Sequence, residues 1–170
     1  MSVATVDLQE TNGSGSGSTT LATSTHMGST DTPNMTASSY PITVGTNSFE
    51  KWHKIWLTAK NTAIRIQNFK VWAASSPGAN VAHKTNVNTS AVAQETYNQA
   101  SATDRSATYH YTQTMPTSTP GTANIGVGGS LSGTLSTNGT GTDFILMQMQ
   151  VSAGGVGATF NMNYQFDEVV

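Results

Sequence analysis

Six of the seven basic residues, Lys51, Lys54, Lys60, Arg65, Lys70 and Lys84, lie in one stretch of the chain together with all three tryptophans, Trp52, Trp56 and Trp72. Basic groups interleaved with aromatic rings suit two kinds of binding. They can stack on and neutralise a single strand of nucleic acid. They can equally bind sugars, with an indole face laid on a pyranose ring. Both chemistries require exposed indoles. On a strand, Trp52 and Trp56 share one face with Lys54 between them, which is also the pattern of a core pair at a bend. Core or subunit interface is therefore the first expectation for Trp52, Trp56 and Trp72, with carbohydrate as the second and nucleic acid as the third.

Catalytic patterns do not assemble. None of His26, His53, His83 and His110 forms a His-x-His or His-x-x-x-His pair, and none lies within a few residues of two carboxylates. His53 is near Glu50, but on a strand these two positions fall on opposite faces. Polar or partly buried structural histidines are expected. The only adjacent acids, Asp167 and Glu168, point to opposite faces of any strand, and Asp104-Arg105 reads as a surface loop. No Gly-x-Ser-x-Gly elbow and no phosphate-binding glycine loop is present. The chain has no cysteine, which removes thiolate nucleophiles, disulfides and Cys-based zinc sites. No catalytic residue, metal ligand or cofactor is assigned, and a non-enzymatic protein is expected.

Composition points the same way. Thr, Ser, Asn and Gly make up about 45% of the 170 residues, whereas Asp, Glu, Lys and Arg make up 9% at a net charge of −2. Such a chain has no global field to attract nucleic acid or an anionic membrane. No apolar run approaches the ~18 residues of a membrane span. The opening MSVATVDLQE lacks the basic start and apolar stretch expected of a signal peptide. One domain with a core of its own fits the length.

The elements that would position these residues divide the chain in two. Residues 1–39 form a low-complexity segment whose candidate contacts are Leu8, Leu21, Met27 and Met35. So little apolar surface cannot offset its own ordering entropy. The segment is expected to be an extended arm ordered by neighbouring subunits, with a disordered tail or linker as the competing reading. At about 3.3 Å per residue, some 30 residues reach on the order of 100 Å.

Residues 40–170 read as the folded domain. Strands are expected near 50–58 and 63–73, joined at Lys60-Asn61-Thr62. Ile64 and Ile66 lie on one parity and Phe69 and Val71 on the other, so a bulge or turn is expected near Asn68. Ser76-Pro77-Gly78 signals a turn. The segment from Thr89 to Ala102 carries near-helical spacing, with a loop as its competitor. A strand is expected around Tyr109, Tyr111 and Thr112, and a short strand or two between Gly-rich turns over 117–143. Ile145, Met147, Met149 and Val151 alternate with Gln148 and Gln150, and Phe160, Met162, Tyr164 and Phe166 alternate with amides. These two strands read as an antiparallel hairpin across a Gly-rich loop. The fold class is all-β, an antiparallel β-sandwich or barrel, jelly-roll-like, with an extended N-terminal arm. Its amide- and hydroxyl-bearing faces read either as ordinary solvated faces or as surfaces that approach other protein copies closely.

Three segments carry a family likeness: NSFEKWH, IRIQNFKVW and the closing YQFDEV. Together with the Thr/Ser/Gly/Asn-rich texture, they resemble the structural proteins of tailed-phage virions, of the capsid decoration (cement) type. The resemblance implies a subunit on the capsid surface that binds the major capsid protein and copies of itself, often as a homotrimer, and stabilises the shell. A tail, neck or fibre subunit is the alternative within that class. A carbohydrate-binding module using its tryptophans is the alternative outside it.

Overall fold

The computed structural model describes residues 3–87, 94–155, 157 and 159–170. Its strands are antiparallel and divide between two sheets. The larger sheet runs in the order β2 (Ser18–Leu21), β1 (Thr5–Asn12), β3 (Lys51–Ala59), β8 (Ile145–Val151), β5 (Val81–Thr85) and β6 (Gln113–Thr114). The two-residue β7 (Thr140–Gly141) pairs with the second half of β3, where β8 no longer runs beside it. The smaller sheet is β4 (Arg65–Ala73) against β9 (Met162–Val169). The helix α1 spans only Ser106–Tyr109 and stops where His110 takes a left-handed conformation at φ 58°.

The sheets enclose an apolar layer. Ile55 and Leu57 of β3 and Ile145 and Met147 of β8 meet Ile66, Phe69, Val71 and Ala73 of β4, with Met162, Tyr164 and Phe166 of β9 at its margin. The expected turn at 60–62 forms, with Asn61 at φ 52°. The expected break near Asn68 also forms. Pairing with β9 slips between Gln67 and Lys70, and Asn68 adopts φ 55°. This extra residue lets Ile66, Phe69 and Val71 all face the core, which strict alternation forbids. Ile64 precedes the strand and is 57% exposed rather than sharing the fate of Ile66.

Several expectations are corrected. β8 and β9 are not a hairpin, since β8 lies between β3 and β5 while β9 pairs with β4 in the other sheet. Alternation tells which face of a strand is buried, not which strand lies beside it. β8 is moreover buried on both faces over Ile145–Met149. Its Gln148 is covered, donating to the carbonyls of Ser48, Ser101 and Thr103 at 3.1–3.4 Å. Around Tyr109 and Tyr111 there is no strand. Tyr109 ends α1, Tyr111 is buried, and β6 begins at Gln113. Of the segment with helical spacing, 89–93 lies outside the described residues, and 94–102 is irregular. Over 117–143 the structure forms β7 and isolated bridges, Ile66 with Leu135 and Val127 with Ser130.

The largest correction concerns the N-terminus. Thr5–Asn12 is an interior strand, bonded to β3 from Val6 opposite Leu57 to Glu10 opposite His53, and to β2 from Gln9 opposite Leu21 to Asn12 opposite Ser18. A segment poor in apolar residues thus orders itself by completing backbone pairing on a neighbouring strand's core. The chain then folds back over Thr23–Phe49. Asn34 caps the turn by accepting from the amides of Thr23 and Ser24 and donating to the carbonyl of Leu21. Met35 is buried and Met27 packs against the core between the sheets.

Candidate functional site

β3 is the strand on which the chemistry converges, and its two faces are used differently. On the face toward the smaller sheet stand Lys51, His53, Ile55 and Leu57. On the outer face stand Trp52, Lys54 and Trp56. Directly paired residues share a face, so register alone gives the make-up of the outer surface. Asp7, Trp56 and Gly141 form one row across β1, β3 and β7. Leu21, Gln9 and Lys54 form the next across β2, β1 and β3, and Thr19 and Thr11 the third.

These rows line an open groove of about 370 Å³ bounded by Gln9, Thr11, Thr19, Lys54, Trp56 and Phe144. Trp56 is half-buried, and its indole N–H has no hydrogen-bond partner among the described residues. The ring lies against the backbone of Gly141, where an added Cβ would sit 2.8 Å from Cε3 of the indole. Lys54 Nζ stands 4.1 Å from the centre of the Phe144 ring and donates to the Glu95 carbonyl at 3.4 Å. Burial holds the Lys54 ammonium below its ordinary value, against the pull of Asp143 and Glu95. The Thr11 and Thr19 hydroxyls bond to each other at 3.1 Å. This is an amphipathic trough with two aromatic rings, one amide, two hydroxyls and one ammonium.

Beyond the groove the same face is closed. Trp52 is fully buried, ringed edge-on by Tyr97, Tyr109 and Phe144 at 5.3–5.4 Å. Glu50 sits at its edge, equally buried. Its carboxylate is bound by the Arg105 guanidinium through Nε at 3.0 Å and through Nη2, by the Tyr111 hydroxyl at 2.8 Å and by the Ser101 amide at 3.2 Å. Arg105 also donates to the Gln99 carbonyl and stacks over the Tyr109 ring. Arg105, read as a surface-loop residue, is therefore the anchor that fixes residues 97–111 onto the sheet.

A second ionic cluster lies between the sheets. Glu10 Oε1 accepts from Lys51 Nζ at 2.5 Å and from Asn12 Nδ2 at 2.8 Å, and Oε2 lies 3.4 Å from His53 Nε2. His53 Nδ1 is in turn 3.4 Å from the Tyr164 hydroxyl, and Asn12 donates to Asp31 at 2.7 Å. Burial would raise the Glu10 carboxyl, but His53 and Lys51 together outweigh it and hold it below its ordinary value. Glu10 and His53 are fully enclosed, so this carboxylate–imidazole–phenol chain is a fastening rather than a solvent-facing reaction centre.

The remaining candidates scatter. Trp72 lies on the outer face of the smaller sheet, opposite Asn163, whereas Trp56 belongs to the larger sheet. Leu8 is half-buried opposite Ile55, and of the four apolar residues read as arm contacts only Leu21, at 52%, remains exposed. His83 is buried, neither ring nitrogen has a hydrogen-bond partner among the described residues, and burial pushes its imidazole down to about 4. Among the described residues no three His, Asp or Glu side chains gather to hold a metal ion, and no helix is long and apolar enough to cross a membrane. Sequence reasoning missed Glu10, Glu50 and Arg105, because each partner lies 41 or more residues away and only the pairing of β1 and the loop with β3 joins them.

No family model, curated protein or solved structure matches this chain.

Proposed function

We propose that the chain is a non-enzymatic structural subunit of a tailed-phage particle, in the first place a decoration protein that binds the capsid shell and copies of itself. The observation that supports this reading is where the few charges go. Glu10, Lys51 and Glu50 are enclosed in the interior. The outer face of the smaller sheet carries Gln67, Trp72, Asn163 and Gln165 together with Arg65, Lys70 and Asp167, charges of both signs among amides. A face of amides with charges of both signs can meet coat proteins or identical subunits through paired polar contacts. β9 adds a second support, since among the described strands it pairs with β4 alone. A strand edge of this sort is a template for pairing with a neighbouring chain.

In this reading the subunit adds contact area between capsomers and opposes the outward pressure of packaged DNA. The sheet faces and the exposed Leu21 carry the contacts, because Met27 and Met35 are committed to the chain's own interior. A reconstruction of purified particles tests it. Many symmetric copies on the outer surface of the head are the expected result. Copies confined to tail, neck or fibre would move the subunit to those structures within the same class. Absence from particles would overturn the proposal.

A further inference from the structure

We infer that the groove on the outer face of β1, β2 and β3 is a binding site for a neutral oligosaccharide, with Trp56 as its stacking platform. The inference goes beyond the particle role and does not depend on it.

Three observations select the ligand class. The first is the platform. Trp56 is the tryptophan that lines a groove, whereas Trp52 is sealed beneath Tyr97, Tyr109 and Phe144. Gly141 lets the strand backbone approach the indole so closely that no side chain fits between them. A ring backed in this way offers its other face and an unpartnered N–H to a ligand that is apolar on one side and polar at its rim. A pyranose ring has that character.

The second observation is the flanking chemistry. Gln9, Thr11 and Thr19 carry neutral groups that both donate and accept, matching hydroxyls that do the same. Their rows are fixed by the β2–β1–β3 register, so these groups stand on rigid strands rather than on a loop. The volume, about 370 Å³, lies at the small end of the range for ligand sites.

The third observation decides against nucleic acid. A single lysine lines the groove, and Asp143 and Glu95 act on it. Binding a phosphate backbone draws on several cations that displace its counterions. Lys54 is instead placed over Phe144 and against the Glu95 carbonyl, as a donor at the groove wall.

Isothermal titration calorimetry of the full chain tests the site. The probes are neutral tetrasaccharides of glucose, galactose, mannose and N-acetylglucosamine, with an oligothymidylate as the charged comparison. At least one tetrasaccharide is expected to bind saturably, and Trp56→Ala to weaken it by about tenfold or more. Trp72→Ala is expected to leave it unchanged. Circular dichroism reports whether Trp56→Ala folds. Should it not, Gln9→Ala and Trp56→Phe carry the test, each with an expected loss of about threefold or more. Heat from no tetrasaccharide, binding indifferent to the groove variants, or binding of the oligothymidylate alone would each overturn the inference. None of these outcomes bears on whether the chain is found in particles.

Discussion

Glu10 and Glu50 are both enclosed carboxylates, and they hold the two faces of the same strand end. Glu10 comes from β1 and meets Lys51 and His53 on the face toward the smaller sheet. Glu50 immediately precedes β3 and meets Arg105 on the opposite face. The difference is in the partners. Lys51 is 1% exposed, whereas Arg105 keeps 22% of its surface. Each pair ties a segment with little apolar surface to β3, the N-terminal 5–35 in one case and the loop through Arg105 in the other. A chain with few charges therefore uses several of them inside, as fasteners between a regular strand and segments that hydrophobic burial alone would not hold. The open half of the outer face, at Trp56, is what neither fastener covers.

Breaking the inner fastener should have the largest effect. Lys51→Met leaves Glu10 charged in a site closed to water, and should lower unfolding stability in urea by about 3–5 kcal/mol. Lys51→Met with Glu10→Gln should recover part of that loss, since the uncompensated charge is gone. A double variant no better than the single one would show that Glu10 does not depend on Lys51.

Acid should separate the interior from both fasteners. His83 takes up its proton near the ordinary 6.5 when unfolded but only at about 4 when folded. Its contribution is fully present above 6.5 and declines as pH falls through that window, to a loss of about 3 kcal/mol. Glu10, held below its ordinary value, adds a further loss only as pH falls below about 4.5. His83→Leu should flatten the slope between pH 6.5 and 4 in a series of urea titrations and leave the lower limb in place.

The outer fastener should cost less to break, because water can reach the rim where Arg105 stood. Arg105→Ala is expected to destabilise by about 2 kcal/mol and to expose the loop through Tyr97–Tyr111 to limited proteolysis before the sheets open. At the groove, Gly141→Ala should cost about 1 kcal/mol by pressing a methyl group on the Trp56 ring. A shift in tryptophan emission would report the displaced indole.

Local patterns were legible where one residue and its neighbours decide the outcome. The turn at Asn61 follows from Lys60-Asn61-Thr62 between two apolar runs, the bulge at Asn68 from the change of parity between Ile66 and Phe69, and the antiparallel all-β sandwich from alternation between turn residues. Partner choice was not legible. The alternation of β8 and β9 is equally good whether they pair together or face each other across a core, as they do. β1 was misread for the same reason. Thr5–Asn12 has little to bury, and its place in the sheet depends on the edge of β3 that it completes. Of the candidate site, the shared face of Lys54 and Trp56 could be read from spacing. Gln9, Thr11 and Thr19 enter it only through pairing, and Asn86 and Asn124 show the same limit. Their side chains bond like strand backbone to Leu146 and Phe144, and to Val71.

Amide hydrogen exchange along β1 tests most directly the claim that the start of the chain is a fastened strand of the sandwich. The account predicts that amides within Val6–Glu10 open with the same free energy as those of Ile55 and Leu57 in β3, as members of one cooperative unit. Exchange over Thr5–Asn12 at the rate of an unstructured peptide, with β3 still protected, would contradict it.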